Sequence, residues 1–270
     1  ARAGAFDRLQ PPWEGVEVVH QTSGGIQTSR LEARMKLGPL TLPIVAQHRD
    51  YVEGKQFRDE MVRGPFSHWV HTHSVEPVGP DRSALTDHIE YVLPLGPLGR
   101  LFGGAFSQSK LQRMFDYRHR LTQHDLERHT RIGRGRSLRI ALVHGDSPRA
   151  RLLARHLRPF LLTGGHSVVQ PGGAEPLDAA LGLGLGPDWV SQHKLAAPIA
   201  LADQPLASMS APRQLHLDLG AVLAYHAEHR PDGPWIGLDD ALGLFHFALF
   251  TDALAGNVRA DDISALTALG

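Results

Sequence analysis

The sequence predicts an α+β fold in which a curved antiparallel sheet is followed by one long helix and then by a smaller α/β segment. Apolar and polar residues alternate along most of residues 16–92. The apolar spacing then changes to three or four over residues 98–128, and a strand, turn, helix, strand pattern begins near residue 139. Alternation is typical of strands and the longer spacing of helices, so each change of period marks a change of element.

Composition limits the class of protein. The chain has 270 residues, of which 42% are hydrophobic and 21% charged, enough for one large core or two modest ones. Lys and Arg number 28, as do Asp and Glu, so the basic surface of a nucleic-acid binder is not expected. The absence of cysteine excludes disulfides and fits the reducing cytoplasm, our predicted location. No apolar run reaches the length of a membrane span.

The first elements are predicted strands. Residues 16–20 form a short strand, residues 30–37 alternate strictly, and Gly38-Pro39 turns the chain back into a third strand. Turn signals at 53–55 and at Gly64-Pro65 separate the strands that follow. Successive hairpins at this spacing indicate an antiparallel, strongly curved sheet.

The two faces of this sheet are predicted to differ. Successive side chains of a strand point to opposite faces, and Arg58, Glu60, His88 and Glu90 mark the solvent side. The concave side then mixes apolar with polar groups, which is typical of a ligand cavity because unpaired buried charges are costly. The predicted lining residues are His48, Phe57, Asp59, Met61, Trp69, His71, His73, Asp87, Ile89, Tyr91, Phe102 and Phe106.

The change of period after residue 97 predicts an amphipathic helix that runs to about Arg128. Such a helix is long enough to cross the sheet and close its open face. Gly103 and Gly104 lie inside it, and each costs about 1 kcal/mol relative to alanine, so they indicate a kink or a close contact. Residues 131–136 resemble a linker.

A second, α/β pattern begins after this linker. Residues 139–143 form a strand, and Asp146 or Ser147 caps a helix that starts at Pro148 and runs to about Arg158. Residues 167–169 form the next strand, which gives a βαβ unit and therefore a parallel sheet. Residues 172–212 show no clear period, and no element is predicted there.

A final helix is predicted over residues 241–254, capped by Asp239 or Asp240 and stopped by Gly256. It is apolar on nearly every side. We therefore expect it to be buried or to form an interface, and a homodimer through this part of the chain is one such interface.

Several motifs of the chain match those of known families. The first half contains LQPPW at 9–13, FRDE at 57–60, GPFSHWVHTH at 64–73, DHIEY at 87–91, FDYRH at 115–119 and DLERH at 125–129. It resembles the START-like (SRPBCC, polyketide cyclase-like) ligand-binding domains. The second half contains RIALVHG at 139–145, LTGGHSVV at 162–169 and PWIGLDD at 234–240. It resembles atypical short-chain dehydrogenase/epimerase-like domains, which are fused to the first kind in bacterial "cell-division inhibitor" or nucleoside-sugar-epimerase-like proteins.

This resemblance implies two domains. Residues 1–136 would form a helix-grip domain, in which a curved antiparallel sheet wraps round a long C-terminal helix and encloses an apolar ligand. The family's first strand and most of its first helix would precede Ala1, so the N-terminal strand is expected to be missing. Residues 137–270 would form a reduced Rossmann-like domain, since the chain is too short for a whole epimerase-like domain.

The resemblance also implies an NADP site, but the glycine pattern argues against it. Gly145 occupies the first position of the dinucleotide fingerprint, whereas Pro148 and Arg151 occupy the second and third. The second glycine lets the backbone approach the pyrophosphate and the third lets the helix pack on the strand. We therefore expect no cofactor, with Gly145 as the one candidate cofactor contact.

The polar residues of the concave face leave three interpretations open. His71 with Asp59 or Asp87 could act as a general base on a bound ketone, although no catalytic residue is assigned. His71 and His73 could chelate a metal with Asp59, Asp87 or His48, although no metal site is predicted. The interpretation that the sequence favours is a hydrogen-bonded network that orients the polar end of a ligand.

The predicted function is therefore binding of an apolar or amphipathic small molecule, lipid-like or polyketide-like, by the first domain. The second domain is expected to be catalytically silent. Two alternatives stay open: an NAD(P)-dependent epimerase or reductase whose first domain binds its substrate, and a purely structural second domain that serves dimerisation.

Overall fold

The computed structural model describes residues 3–22, 29–132, 137–173, 175–204, 213–229 and 234–255. The chain divides into two compact units, the first made of Gln10–Arg118 and the second of Arg2–Leu9 with His119–Gly270. An antiparallel sheet lies in the first unit and a parallel sheet in the second. The predicted α+β class is therefore confirmed. The division falls inside a helix, at residue 118.

The first unit contains a six-stranded sheet in which each strand pairs with the next along the chain, always antiparallel. Gly38 and Gly54, with φ of 59° and 69°, supply the left-handed backbone that two of its hairpin turns require. The strands are β1 (Val16–Gln21), β2 (Arg30–Leu37), β3 (Leu40–Val52), β4 (Gln56–Arg63), β5 (His68–Gly79) and β6 (Arg82–Val92).

The helices of the first half are α1 (Ala5–Arg8) and α2 (Pro97–Ile132). The sequence prediction for α2 is confirmed, although the helix continues one turn beyond Arg128. It is regular through Gly103 and Gly104, where an added Cβ would meet only ordinary contacts, so the predicted kink or tight approach is not found. Part of the predicted linker, residues 131–132, belongs to α2, and residues 133–136 lie outside the described residues.

The second unit contains a five-stranded sheet whose neighbouring strands are all parallel. Its strands are β7 (Arg139–His144), β8 (Ser167–Val169), β9 (Ala179–Leu183), β10 (Ile199–Ala202) and β11 (Arg213–His216), in the spatial order β11-β10-β9-β7-β8. Its remaining helices are α3 (Pro148–Thr163), α4 (Trp189–Gln192), α5 (Leu219–His229) and α6 (Pro234–Ala255). Among these described elements, the predicted βαβ unit is β7, α3 and β8.

Helix α3 begins as the sequence predicts. Ser147 is the N-cap, its side chain accepts a hydrogen bond from the backbone N–H of Ala150, and Pro148 occupies the first helical turn. The helix continues to Thr163, about one turn beyond the predicted end at Arg158. Its apolar residues pack against the sheet, including Leu153, Leu157 and Phe160, which are fully buried.

Two strands lie where the sequence predicted no element. All residues of β9 and β10 are buried, because these strands lie in the middle of the parallel sheet. A strand with both faces covered has no alternation of polar and apolar residues, so the periodicity that revealed the first sheet is absent.

Helix α6 starts seven residues before the predicted first residue, 241. Asp239 and Asp240 therefore lie inside the helix, and the prediction that one of them caps it is wrong. Most of the described apolar side chains of α6 are buried within the unit, including those of Leu242, Phe245 and Leu249. Gly256, the predicted stop, lies outside the described residues. In the part of the chain that the structure describes, no helix combines the length and the apolar character needed to cross a membrane.

A buried ion-pair network holds α1 in the second unit. The Arg8 side chain is 1% exposed and donates two hydrogen bonds of 2.8 Å to the carboxylate of Asp125. It donates a third, also of 2.8 Å, to Asp239 of α6. Its guanidinium lies 4.9 Å from the ring centre of Phe160. The Asp239 carboxylate thus stabilises a buried cation from a distant part of the chain.

Candidate functional site

Three histidines and two aspartates meet on one face of the antiparallel sheet. The strand register places His48 opposite Asp59 and Asp59 opposite His71, and it places His73 opposite Asp87. Residues directly opposite each other in an antiparallel sheet point to the same face. We refer to these five residues as the His–Asp cluster.

Each member of the His–Asp cluster contacts another member through polar atoms. Asp59 accepts from His48 Nε2 at 2.8 Å and from His73 Nε2 at 3.0 Å, and its Oδ2 lies 3.8 Å from His71 Nδ1. Asp87 Oδ1 lies 2.9 Å from His71 Nε2 and 2.7 Å from His73 Nδ1. The two carboxylates are thus bridged by two imidazoles.

Burial and hydrogen bonding act in opposite directions on the pKa values in this cluster. The His71 side chain is 3% exposed, and burial lowers its pKa despite the hydrogen bond to Asp87. Burial would also lower the pKa of His73, but its bonds to Asp59 and Asp87 outweigh this and raise it. For Asp59, burial favours a raised pKa, yet the bonds from His48 and His73 hold the pKa well below its usual range. Asp59 is therefore ionised at neutral pH.

Aromatic rings surround the cluster. Phe57 stacks on His73 with ring centres 4.1 Å apart, and Trp69 lies edge-on to His71 at 6.4 Å. Tyr91 lies 6.2 Å from Trp69. Ile89 stands opposite His71 in the register, and Met61, like Ile89, is half-buried on this face. The structure thus brings ten of the twelve predicted lining residues to one face of the sheet.

The remaining two predicted lining residues lie elsewhere. Phe102 and Phe106 of α2 are 82% and 64% exposed, so in this structure they line no enclosed site. Leu98 and Leu101 on the same helix are exposed too. Periodicity shows which side chains share a helical face, but it does not show whether another surface covers that face.

Three residues near the cluster were not predicted. Phe115 of α2 is buried, and its ring lies edge-on to His71 at 5.0 Å. Phe66, just before β5, lies 4.9 Å from Trp69. Arg118 is one helical turn beyond Phe115; burial lowers the pKa of its guanidinium, while the charges of Asp59 and Asp87 oppose that change. Phe115 and Arg118 are three residues apart on α2 and therefore share a helical face, which is the sequence signal that could have identified both.

Gly145, the candidate cofactor contact, follows β7 in the second unit. Its N–H donates to the carbonyl of Leu183 at 2.9 Å, and an added Cβ would lie 2.5 Å from the carbonyl oxygen of Gly184. The N–H of Gly184 in turn donates to Asp203 at 2.6 Å. Both backbone N–H groups therefore have partners within the protein.

Comparisons with known proteins add little to this geometry. No protein-family model matches the chain, and no curated protein matches it. A similar solved structure is the crystal structure of TTHA0849 from Thermus thermophilus, with 15% identity, a TM-score of 0.34, and coverage of 44% of this chain and 77% of that one. A TM-score this low supports no conclusion about fold or function.

Proposed function

We propose that the first unit binds an amphipathic small molecule, whose polar end contacts the His–Asp cluster and whose apolar part contacts the surrounding aromatic rings. The observation that carries this proposal is the convergence of five ionisable side chains on a sheet face otherwise lined by Phe57, Trp69 and Tyr91. Small-molecule sites typically combine an apolar lining with a few converging polar groups.

We further propose that this unit has the helix-grip fold of the START-like domains. In support, its six antiparallel strands follow one another in space as they do along the chain, and a long helix comes after the last of them. Phe115, on that helix, contacts His71 of the cluster. Such a fold would place the ligand between the sheet and this part of α2.

Binding of an apolar fluorescent dye tests the proposal. We expect Trp69→Ala to weaken dye binding about tenfold, because an aromatic wall that buries some 50 Å² of ligand contributes on the order of 1 kcal/mol. Val92→Ala is the matched control, since Val92 is an exposed residue at the end of β6 whose side chain points to the opposite face. Dye fluorescence titration gives both dissociation constants.

Equal dye affinities for Trp69→Ala and the wild type would contradict the assignment of the site, provided that circular dichroism shows both to be folded. The natural ligand can be sought independently. Organic extracts of the purified protein, analysed by mass spectrometry, are expected to contain a copurified amphipathic compound.

The rival function is NADP-dependent catalysis by the second unit. The strand order of the parallel sheet supports this rival, because β7 lies between β8 and β9 and the order reverses there. Parallel sheets bind ligands at such a reversal, outside the carboxyl ends of the strands. We propose instead that this unit is a catalytically silent, reduced Rossmann-like domain. NADPH titration separates the two: energy transfer from tryptophan to NADPH that saturates at micromolar concentration would establish the rival, and no transfer is the result we expect.

A further inference from the structure

We propose that Asp59, His71 and His73 form a binding site for a divalent transition-metal ion. The site lies on the same face as the proposed ligand, but the inference does not depend on that ligand, since an ion could bind with or without it. The pattern of interactions among these side chains and Asp87 carries the inference.

The three residues have the spacing of a metal site. One ligand atom from each lies within 4.8 Å of the ligand atoms of the other two. Asp59 Oδ2 lies 3.0 Å from His73 Nε2 and 3.8 Å from His71 Nδ1. Ligand atoms about 2 Å from a tetrahedrally coordinated ion are roughly 3.3 Å apart, so small side-chain movements suffice to admit one.

Asp87 supplies the outer contacts that metal-binding histidines usually make. Its Oδ1 lies 2.9 Å from His71 Nε2 and 2.7 Å from His73 Nδ1. A ring N–H must donate in each contact, because a carboxylate only accepts. The second nitrogen of each imidazole faces Asp59, and the proton with which His73 Nε2 donates to Asp59 would be released when an ion takes its place. Histidine ligands in metal sites are commonly oriented by a carboxylate in this way.

His48 completes the orientation of Asp59. Its Nε2 lies 2.8 Å from Asp59 Oδ1, which leaves Oδ2 as the atom that faces both His71 and His73. All the side chains involved belong to adjacent strands, β3 to β6, so their backbone positions are fixed by sheet hydrogen bonds. Sites built on such elements hold their geometry better than sites on loops.

The donor set indicates which ion would bind. Two imidazole nitrogens and one carboxylate oxygen suit zinc, iron(II), cobalt(II) or nickel(II), whereas calcium and magnesium prefer oxygen ligands alone. Three protein ligands leave coordination positions open for water or for a polar group of a bound molecule. The charge of Arg118, which acts on Asp59 and Asp87, opposes a second cation and is expected to weaken the affinity for the ion.

Cobalt(II) is a suitable probe because its visible absorption reports tetrahedral coordination. The untagged 270-residue chain, freed of metal with a chelator, is titrated with cobalt(II), and zinc is then added as a competitor. We expect one ion to saturate the site and zinc to displace it. Asp59→Asn and His73→Gln are each expected to weaken the affinity at least tenfold, and Asp87→Asn by about 10-fold to 100-fold.

His88→Gln is the matched control. His88 is also a histidine of this sheet beside a carboxylate, Glu90, but its side chain is 70% exposed on the opposite face. We expect its replacement to leave cobalt binding unchanged. Because the chain contains 17 histidines, this control separates the proposed site from weak binding elsewhere.

Failure of this proposal and failure of the ligand proposal are distinguishable. Trp69→Ala should weaken dye binding and leave cobalt binding intact. Asp59→Asn should weaken cobalt binding. Two results would refute the metal site and leave the cluster as a hydrogen-bonded network only. The first is a wild type that shows no saturable cobalt absorption. The second is that Asp59→Asn and His73→Gln, both folded by circular dichroism, bind cobalt as tightly as the wild type.

Discussion

Replacing Arg8 with methionine is expected to destabilise the second unit by about 3–5 kcal/mol, because it leaves two buried carboxylates without their cation. Burial opposes the charge on Arg8, yet Asp239 and Asp125 outweigh this and raise the pKa of its guanidinium. Burial also raises the pKa of Asp239, and Arg8 counteracts this change. Without Arg8, the Asp239 carboxyl would have to take up a proton or stay ionised in a poorly solvated site.

Urea denaturation measures the loss as a change in the free energy of unfolding. Arg151→Met is the control, since Arg151 pairs at 3.9 Å with an exposed carboxylate, that of Asp146, and such pairs contribute at most about 1 kcal/mol. A combined variant, Arg8→Met with Asp125→Leu and Asp239→Leu, should recover much of the loss because no charge remains buried. A cost for Arg8→Met no larger than that for Arg151→Met would mean that the network does not stabilise the fold.

Acid is expected to destabilise the second unit through His156. Burial is the largest cause that lowers the pKa of His156 to about 4, followed by the charges of Arg8 and Arg155, whereas the ordinary value is 6.5. Between these two values the unfolded chain binds a proton that the folded chain does not. The free energy of unfolding therefore falls as the pH drops from 6.5 towards 4, by about 3 kcal/mol for this group.

Unfolding curves at several pH values from 7 to 4.5 test this dependence. The slope of the unfolding free energy against pH should be smaller for His156→Gln than for the wild type, whatever the absolute stability of the variant. His144→Gln, at an exposed position that ends β7, should keep the wild-type slope. Identical slopes for His156→Gln and the wild type would show that another group controls the acid response.

The sequence predicted most of the first unit because its strands are covered unequally on their two faces. Alternation placed Asp59, His71 and Asp87 on one face, and the register brings them into contact. Alternation cannot give the distances between side chains, so the same residues were compatible with a network, a base or a metal site. The contribution of α2 through Arg118 depends on how the helix meets the sheet, which no local pattern contains.

The second unit was predicted less completely for two physical reasons. Strands β9 and β10 are buried on both faces, so their sequences carry no period. An aspartate just before an apolar run also looks like a helix cap, yet Asp239 is held by Arg8, a residue 231 positions away. A long-range ion pair has no local signature, so the start of α6 was placed too late.

Along the described residues the chain passes from one unit to the other after Leu9 and again after Arg118, so the first unit is inserted in the sequence of the second. Expression fragments need to respect this topology. A fragment that begins at residue 119 lacks α1 and the guanidinium that bridges Asp125 and Asp239. To regain that bridge, the fragment would need residues 2–9, supplied as a fused segment or as a synthetic peptide. By contrast, residues 10–118 can be excised as one uninterrupted piece.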